Sequence, residues 1–158
     1  MTVLTADALA RVGRASEALA VLDDARSLLA AQDGRSDEWM YDFDAGSLAV
    51  HAGTCLLNVA QPDSAAEAFT DALRMLPASC ERRGAEIQTG LATARLACGE
   101  VDEAQRLTLT SLETFAARGS VAGLHRIREL RVLFRAEGHL RVVSAIDDQV
   151  RALKAAAV

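Results

Sequence analysis

A chain of 158 residues, 51% hydrophobic and 25% charged, buries roughly 70% of its unfolded surface on folding and needs neither a metal nor a disulfide to hold a core. Its seventeen basic and twenty-two acidic side chains leave a net charge of −5, which argues against a face built to neutralise phosphates. Aromatics at 4% are too few for a base-stacking platform, so direct nucleic-acid contact is excluded as an expectation.

Apolar residues recur at the helical period of 3.6 almost throughout. They predict helices over 2–12, 15–31, 42–60, 62–76, 81–98, 101–118, 121–137 and 139–156. The breaks between them carry turn chemistry: Gly13-Arg14, Gln61-Pro62-Asp63, Gly99-Glu100, Arg118-Gly119-Ser120 and Gly138-His139, with polar groups placed to cap the following helix. Pro62 stands at a helix start, where its missing N–H costs nothing. Alanine and leucine supply most of the apolar mass, as close-packed helices require, so the predicted fold class is all-α.

A glycine or alanine precedes a small residue by five positions in each predicted pair: Gly13 and Ala18, Ala60 and Ala65, Gly99 and Ala104, Gly138 and Val143. The last three units repeat at 99 minus 60 and 138 minus 99, which is 39 both times. A fixed period of this size marks a repeat stack, with units of about 1–32, 42–77, 81–118 and 121–156 in a single domain over 1–158. Ala18 to Ala65 is longer, 47 residues, and the surplus falls in an insertion at 32–42 that contains Trp39 and Tyr41, the chain's one Trp and one Tyr. It is read as a surface connection packing over the first two units, or as a lid.

The second unit resembles the tetratricopeptide repeat, W-x2-L-G-x2-Y…A-x3-F…P. Ala52-Gly53 stands for L-G, Leu56 for the Tyr, Ala65-x3-Phe69 for A-x3-F, and Pro77 closes the unit. The third unit keeps Ala92 and Ala104 but has Thr108 for the Phe; the fourth has Arg131 in the small position and Val143 for the Ala. The Trp is missing from every unit. This resemblance implies a right-handed superhelix of about four antiparallel helix pairs. The run from Trp39 to Pro77, continued by CERRGAEIQTGLATARLACGEVDEAQRL and SVAGLHRIRELRVLF, is similar to the C-terminal sensor half of actinobacterial helix-turn-helix transcriptional regulators. The similarity implies a protein, peptide or small-molecule partner.

If the first helix of each pair lines the concave face, as that resemblance implies, the candidate ligand-binding residues are Val50, His51, Thr54 and Asn58, then Glu86, Thr89 and Thr93, then His125, Arg128 and Arg135. Ser47, Leu57, Gly90, Leu96, Glu129 and Val132 neighbour them. Short hydroxyls, an amide and apolar groups suit an extended peptide. Arg128, Arg131 and Arg135 form a basic stripe, of which Arg128 and Arg135 would hold a carboxylate bidentately, although such stripes are more often solvated helix faces. His51 and Cys55 have a metal-compatible spacing but no third ligand, so no metal and no cofactor is expected. No nucleophile elbow, phosphate loop or H-E-x-x-H is present, so the chain is read as non-enzymatic. A structural scaffold or oligomerisation module is the alternative.

Cys55, Cys80 and Cys98 are odd in number and never spaced C-x-x-C, which fits reduced cytoplasmic thiols. The N-terminus lacks a signal-peptide pattern and no stretch is long enough to span a bilayer. At the ends, Leu140, Val143, Ile146, Val150 and Leu153 form an apolar stripe with Arg141, Asp148 and Arg151 outward, the pattern of a cap. Val3, Leu4, Leu9 and Val12 predict a first helix covered by preceding repeats or by a second copy in a homodimer.

Overall fold

The computed structural model describes residues 3–31 and 45–156. Among these residues there are eight helices and no strand: α1 (Val3–Arg11), α2 (Ala15–Ala31), α3 (Ala45–Asn58), α4 (Pro62–Met75), α5 (Glu81–Ala97), α6 (Val101–Ala117), α7 (Val121–Ala136) and α8 (Leu140–Ala156). The all-α class and the helix order follow the sequence pattern, with ends within two residues wherever both ends are described. The predicted insertion at 32–42, with Trp39 and Tyr41, lies outside the described residues.

Contacts divide the chain into two compact units, Met1–Leu76 and Pro77–Val158, where the sequence pattern predicts one stack. Each contains two helical hairpins. In the first unit α1 packs on α2, α3 on α4, and α3 lies against both helices of the first hairpin. In the second unit α5 packs on α6, α7 on α8, and α7 lies against both α5 and α6.

All four hairpins close through one turn. Gly13, Ala60, Gly99 and Gly138 have φ of 80°, 58°, 79° and 83°, the left-handed conformation that ends a helix. At Gly99 its N–H donates to the Leu96 carbonyl at 2.9 Å, and the Glu100 N–H donates to the Arg95 carbonyl at 2.9 Å. The same pair of bonds joins Ala60 to Leu57 and Gln61 to Leu56, at 3.1 and 2.9 Å. This double bond satisfies carbonyls that the helix end would leave bare. Ala60 therefore does a glycine's work, and α3 ends at Asn58 rather than at the predicted 60.

The small residue five positions on is buried in every hairpin: Ala18, Ala65 and Ala104 have no exposed surface, and Val143 is 8% exposed. The predicted side-chain caps are largely replaced by backbone bonds. Gln61, Cys80 and Glu100 make no side-chain cap, whereas the Ser120 hydroxyl accepts from the Gly123 N–H at 3.2 Å.

One pair of register positions, one on each helix of a hairpin, changes its chemistry along the chain. Ala6 and Leu22 share a buried cluster in the first hairpin. In the second, a Cβ on Gly53 would stand 2.8 Å from the Phe69 ring, so only the absence of a side chain lets the ring in. Adding 39 to both positions gives Ala92 and Thr108, both fully buried. Adding 39 again gives Arg131 and Asp147, which form a bidentate ion pair with both bonds at 2.7 Å. The apolar pair has become an ionic one.

The same close approach recurs between hairpins. A Cβ on Gly123 would come within 2.2 Å of the Phe115 ring, and Phe115 is fully buried. Gly123→Ala is therefore expected to cost about 1–3 kcal/mol by overpacking, despite alanine's better helix propensity. Ala60→Gly is expected to gain up to about 1 kcal/mol by relieving the left-handed strain. Urea midpoints at unchanged m-value measure both, and an unaffected Gly123→Ala would place Phe115 elsewhere.

Candidate functional site

The candidate residues divide between the two units. On α3, positions spaced i, i+4, i+7 and i+11 share one helix face. They are Ser47, His51, Thr54 and Asn58, half-buried to exposed beside the buried Leu48, Ala52, Cys55 and Leu56. Moving by the 39-residue register gives Glu86, Gly90, Thr93 and Ala97 on α5, and His125, Glu129, Val132 and Ala136 on α7. None of these is buried either. Each of these three first helices thus carries its own open stripe at matching register positions, α3 in the first unit and α5 and α7 in the second.

Six candidate residues lie on that stripe: His51, Thr54, Asn58, Glu86, Thr93 and His125. Val50 is half-buried beside it. Thr89 is corrected: it is 4% exposed, and its hydroxyl donates to the Glu86 carbonyl at 2.7 Å. The reason is that α5 is covered on two sides, and Thr89 and Leu96 fall on a covered one. Arg128 and Arg135 are exposed but lie on the neighbouring side of α7, at the positions Thr89 and Leu96 hold in α5. The register extends the stripe to Ala97 and Ala136, positions the sequence pattern does not single out, although continuing the i+4 step from Thr93 and Val132 reaches them.

The stripe's polar groups are already partly committed. Thr54 and Thr93 donate their hydroxyls to the Val50 and Thr89 carbonyls at 3.1 and 3.0 Å. Each hydroxyl oxygen keeps its acceptor capacity and spends its proton, so the threonines favour a ligand rich in N–H donors. Glu86 sits 3.5 Å from Arg83 and 3.9 Å from Arg82. His125 Nδ1 lies 3.6 Å from Glu129 Oε1.

Beside the stripe, the Arg131 guanidinium donates both of its bonds to Asp147 and holds that carboxyl below its usual range. The charges of Arg151 and Arg135 add to the effect. Arg131 and Asp147 are 31% and 41% exposed, so solvent screens the pair.

Among the described residues no group of three His, Cys, Asp or Glu side chains could hold a metal ion. Cys55 is buried, Cys80 exposed and Cys98 intermediate, and none of the three is in a disulfide. No described helix is long and apolar enough to cross a membrane. No protein-family model, curated protein or solved structure matches the chain.

The lowered Asp147 sets a sign for acid sensitivity. Its native value lies below the unfolded one of about 3.9, so its contribution is present above that value and is lost as pH falls through the native one. Asp147→Asn is expected to melt lower than the wild type at neutral pH, and to lose less on acidification to about pH 3. Parallel melting curves for the two proteins at both pH values would show that the ion pair contributes nothing.

Proposed function

We propose that this chain is a non-enzymatic, tetratricopeptide-like binding module whose two units each take an extended peptide or protein segment along the open stripes of their own first helices. The observation that carries this reading is the repetition of the stripe: in α3, α5 and α7 the same four register positions stay open while a small residue of each following second helix, Ala65, Ala104 or Val143, is buried. On α3 and α5 the stripes include small, hydroxyl-bearing and half-buried positions that suit an extended backbone, whose N–H groups can meet the acceptor oxygen of Thr54 in the first unit or of Thr93 in the second. The similarity to the sensor half of helix-turn-helix regulators supports a cytoplasmic, signal-receiving role. An in-frame DNA-binding segment upstream in the gene would extend that reading to a transcriptional regulator.

The test uses two variants, Thr54→Arg and Thr93→Arg, which fill the stripe with bulk and charge. Both sites are half-buried helix faces, so stability is expected to stay within about 0.5 kcal/mol. A pool of acetylated, amidated heptapeptides titrated into labelled protein should shift backbone resonances of α3, α5 and α7 in the wild type. The shifts should vanish on the substituted helix. Shifts confined to second helices, or unchanged in both variants, would leave a scaffold without a peptide groove.

A further inference from the structure

The α7–α8 hairpin carries a surface whose chemistry is inverted relative to the equivalent surface of the α5–α6 hairpin. Five positions of the α5–α6 hairpin are buried or nearly so: Thr89, Ala92, Leu96, Leu112 and Phe115. Phe115 shows what this surface does, since it lies under Gly123 of α7, a helix that packs on α5 and α6 together. Adding 39 to each position gives Arg128, Arg131, Arg135, Arg151 and Lys154. Every one has become a cation.

Three of these cations lie near one carboxylate: Arg131 of α7 is bonded to Asp147, Arg151 of α8 is bonded to the adjacent Asp148, and the charges of Arg151 and Arg135 reach Asp147. Five cations less two carboxylates leave +3 on this face of an acidic chain. Arg128 and Lys154 have no carboxylate partner among the described residues. Apolar surface runs between the charges: Val121, 80% exposed, stands at i, i+7 and i+14 with Arg128 and Arg135, while Val150 and Leu153 are half-buried on α8.

We propose that the α7–α8 outer face docks an acidic amphipathic helix of a partner protein, laid where the register would place the first helix of another hairpin. The shape comes from the equivalent surface one hairpin earlier, which holds a helix. The sign comes from the five cations, and the apolar strip between them asks for Leu- or Val-like groups beside the carboxylates. Phosphate backbones fit less well, because Asp147 and Asp148 stand among the arginines and offer a nucleic acid nothing for its bases. This face is separate from the open stripe, so it stands or falls independently of the peptide groove.

The test is fluorescence anisotropy with an acetylated, amidated peptide of about 20 residues that forms a helix with Leu on one face and Glu flanking it. A Glu→Gln version serves as control. Binding that weakens at least about tenfold when salt is raised, and again with the Gln peptide, is expected. Arg128→Glu with Arg135→Glu should abolish it, whereas Arg74→Glu with Arg106→Glu, an equal charge change elsewhere, should not. Circular dichroism establishes that each variant is folded, and the milder Arg128→Gln with Lys154→Gln should still weaken binding about tenfold. Four results overturn the proposal: no binding at roughly 1 mM peptide, equal losses in both double reversals, tighter binding of duplex DNA lost with the same arginines, or sedimentation as a dimer that those reversals dissociate without any peptide binding.

Discussion

Two helices that close through a tight turn must touch at a fixed point, and the side chains at that point have to share one small volume. Everything else in each hairpin is arranged around how that volume is filled. Gly53 with Phe69 gives all the space to one partner; at the same register Ala92 and Thr108 are both fully buried, and the Thr108 hydroxyl stays satisfied by donating to the Ala104 carbonyl at 2.7 Å. Arg131 with Asp147 cannot be packed in the same sense. A long guanidinium and a short carboxylate fit because their ends reach water, at 31% and 41% exposure. The hairpin that carries them therefore differs from the others in having a charged outer side, with cations at four further positions of the register.

Much of this was legible in the sequence because the turns are coded by short-range chemistry. Left-handed glycines, Pro62 at a first helical position and Ser120 at a cap act within a few residues of themselves, so their effects do not depend on the tertiary fold. The 39-residue spacing carried the rest, matching even Ala60 to the glycines although it is not one. What periodicity does not encode is how many sides of a helix are covered. Thr89 and Thr93 look alike on a helical wheel, yet one is buried and one is open, because α5 packs against neighbours on more than one side. Leu140 shows the converse: it belongs to the predicted apolar stripe of α8 but is 64% exposed, and Val142 takes its place in the core beside Val143 and Ile146. At the other end Leu9 packs on the first core cluster, whereas Val12 is 70% exposed.

The two open surfaces of the second unit meet on α7 and differ in kind. Its stripe of His125, Glu129, Val132 and Ala136 mixes an imidazole, a carboxylate and two small apolar groups. The adjacent side, with Arg128 and Arg135, projects long cations that act over a longer range and that salt weakens. One helix can thus present a shape-dependent contact and a charge-dependent one a fraction of a turn apart. Substitutions separated by three or four residues are then expected to alter different binding properties.

The shared turn has a consequence for how the chain assembles. Nearly every close approach in each unit joins helices adjacent or next-but-one in sequence, so little chain entropy is spent before the first contacts reward it. Each hairpin can nucleate by itself once its left-handed residue sets the reversal, and the neighbouring hairpin then condenses on a surface already formed. A chain of this kind has no single obligatory nucleus. Its order of folding is set by the relative strength of its four reversals, and the one built on Ala60, which resists the left-handed conformation, is the slowest to initiate.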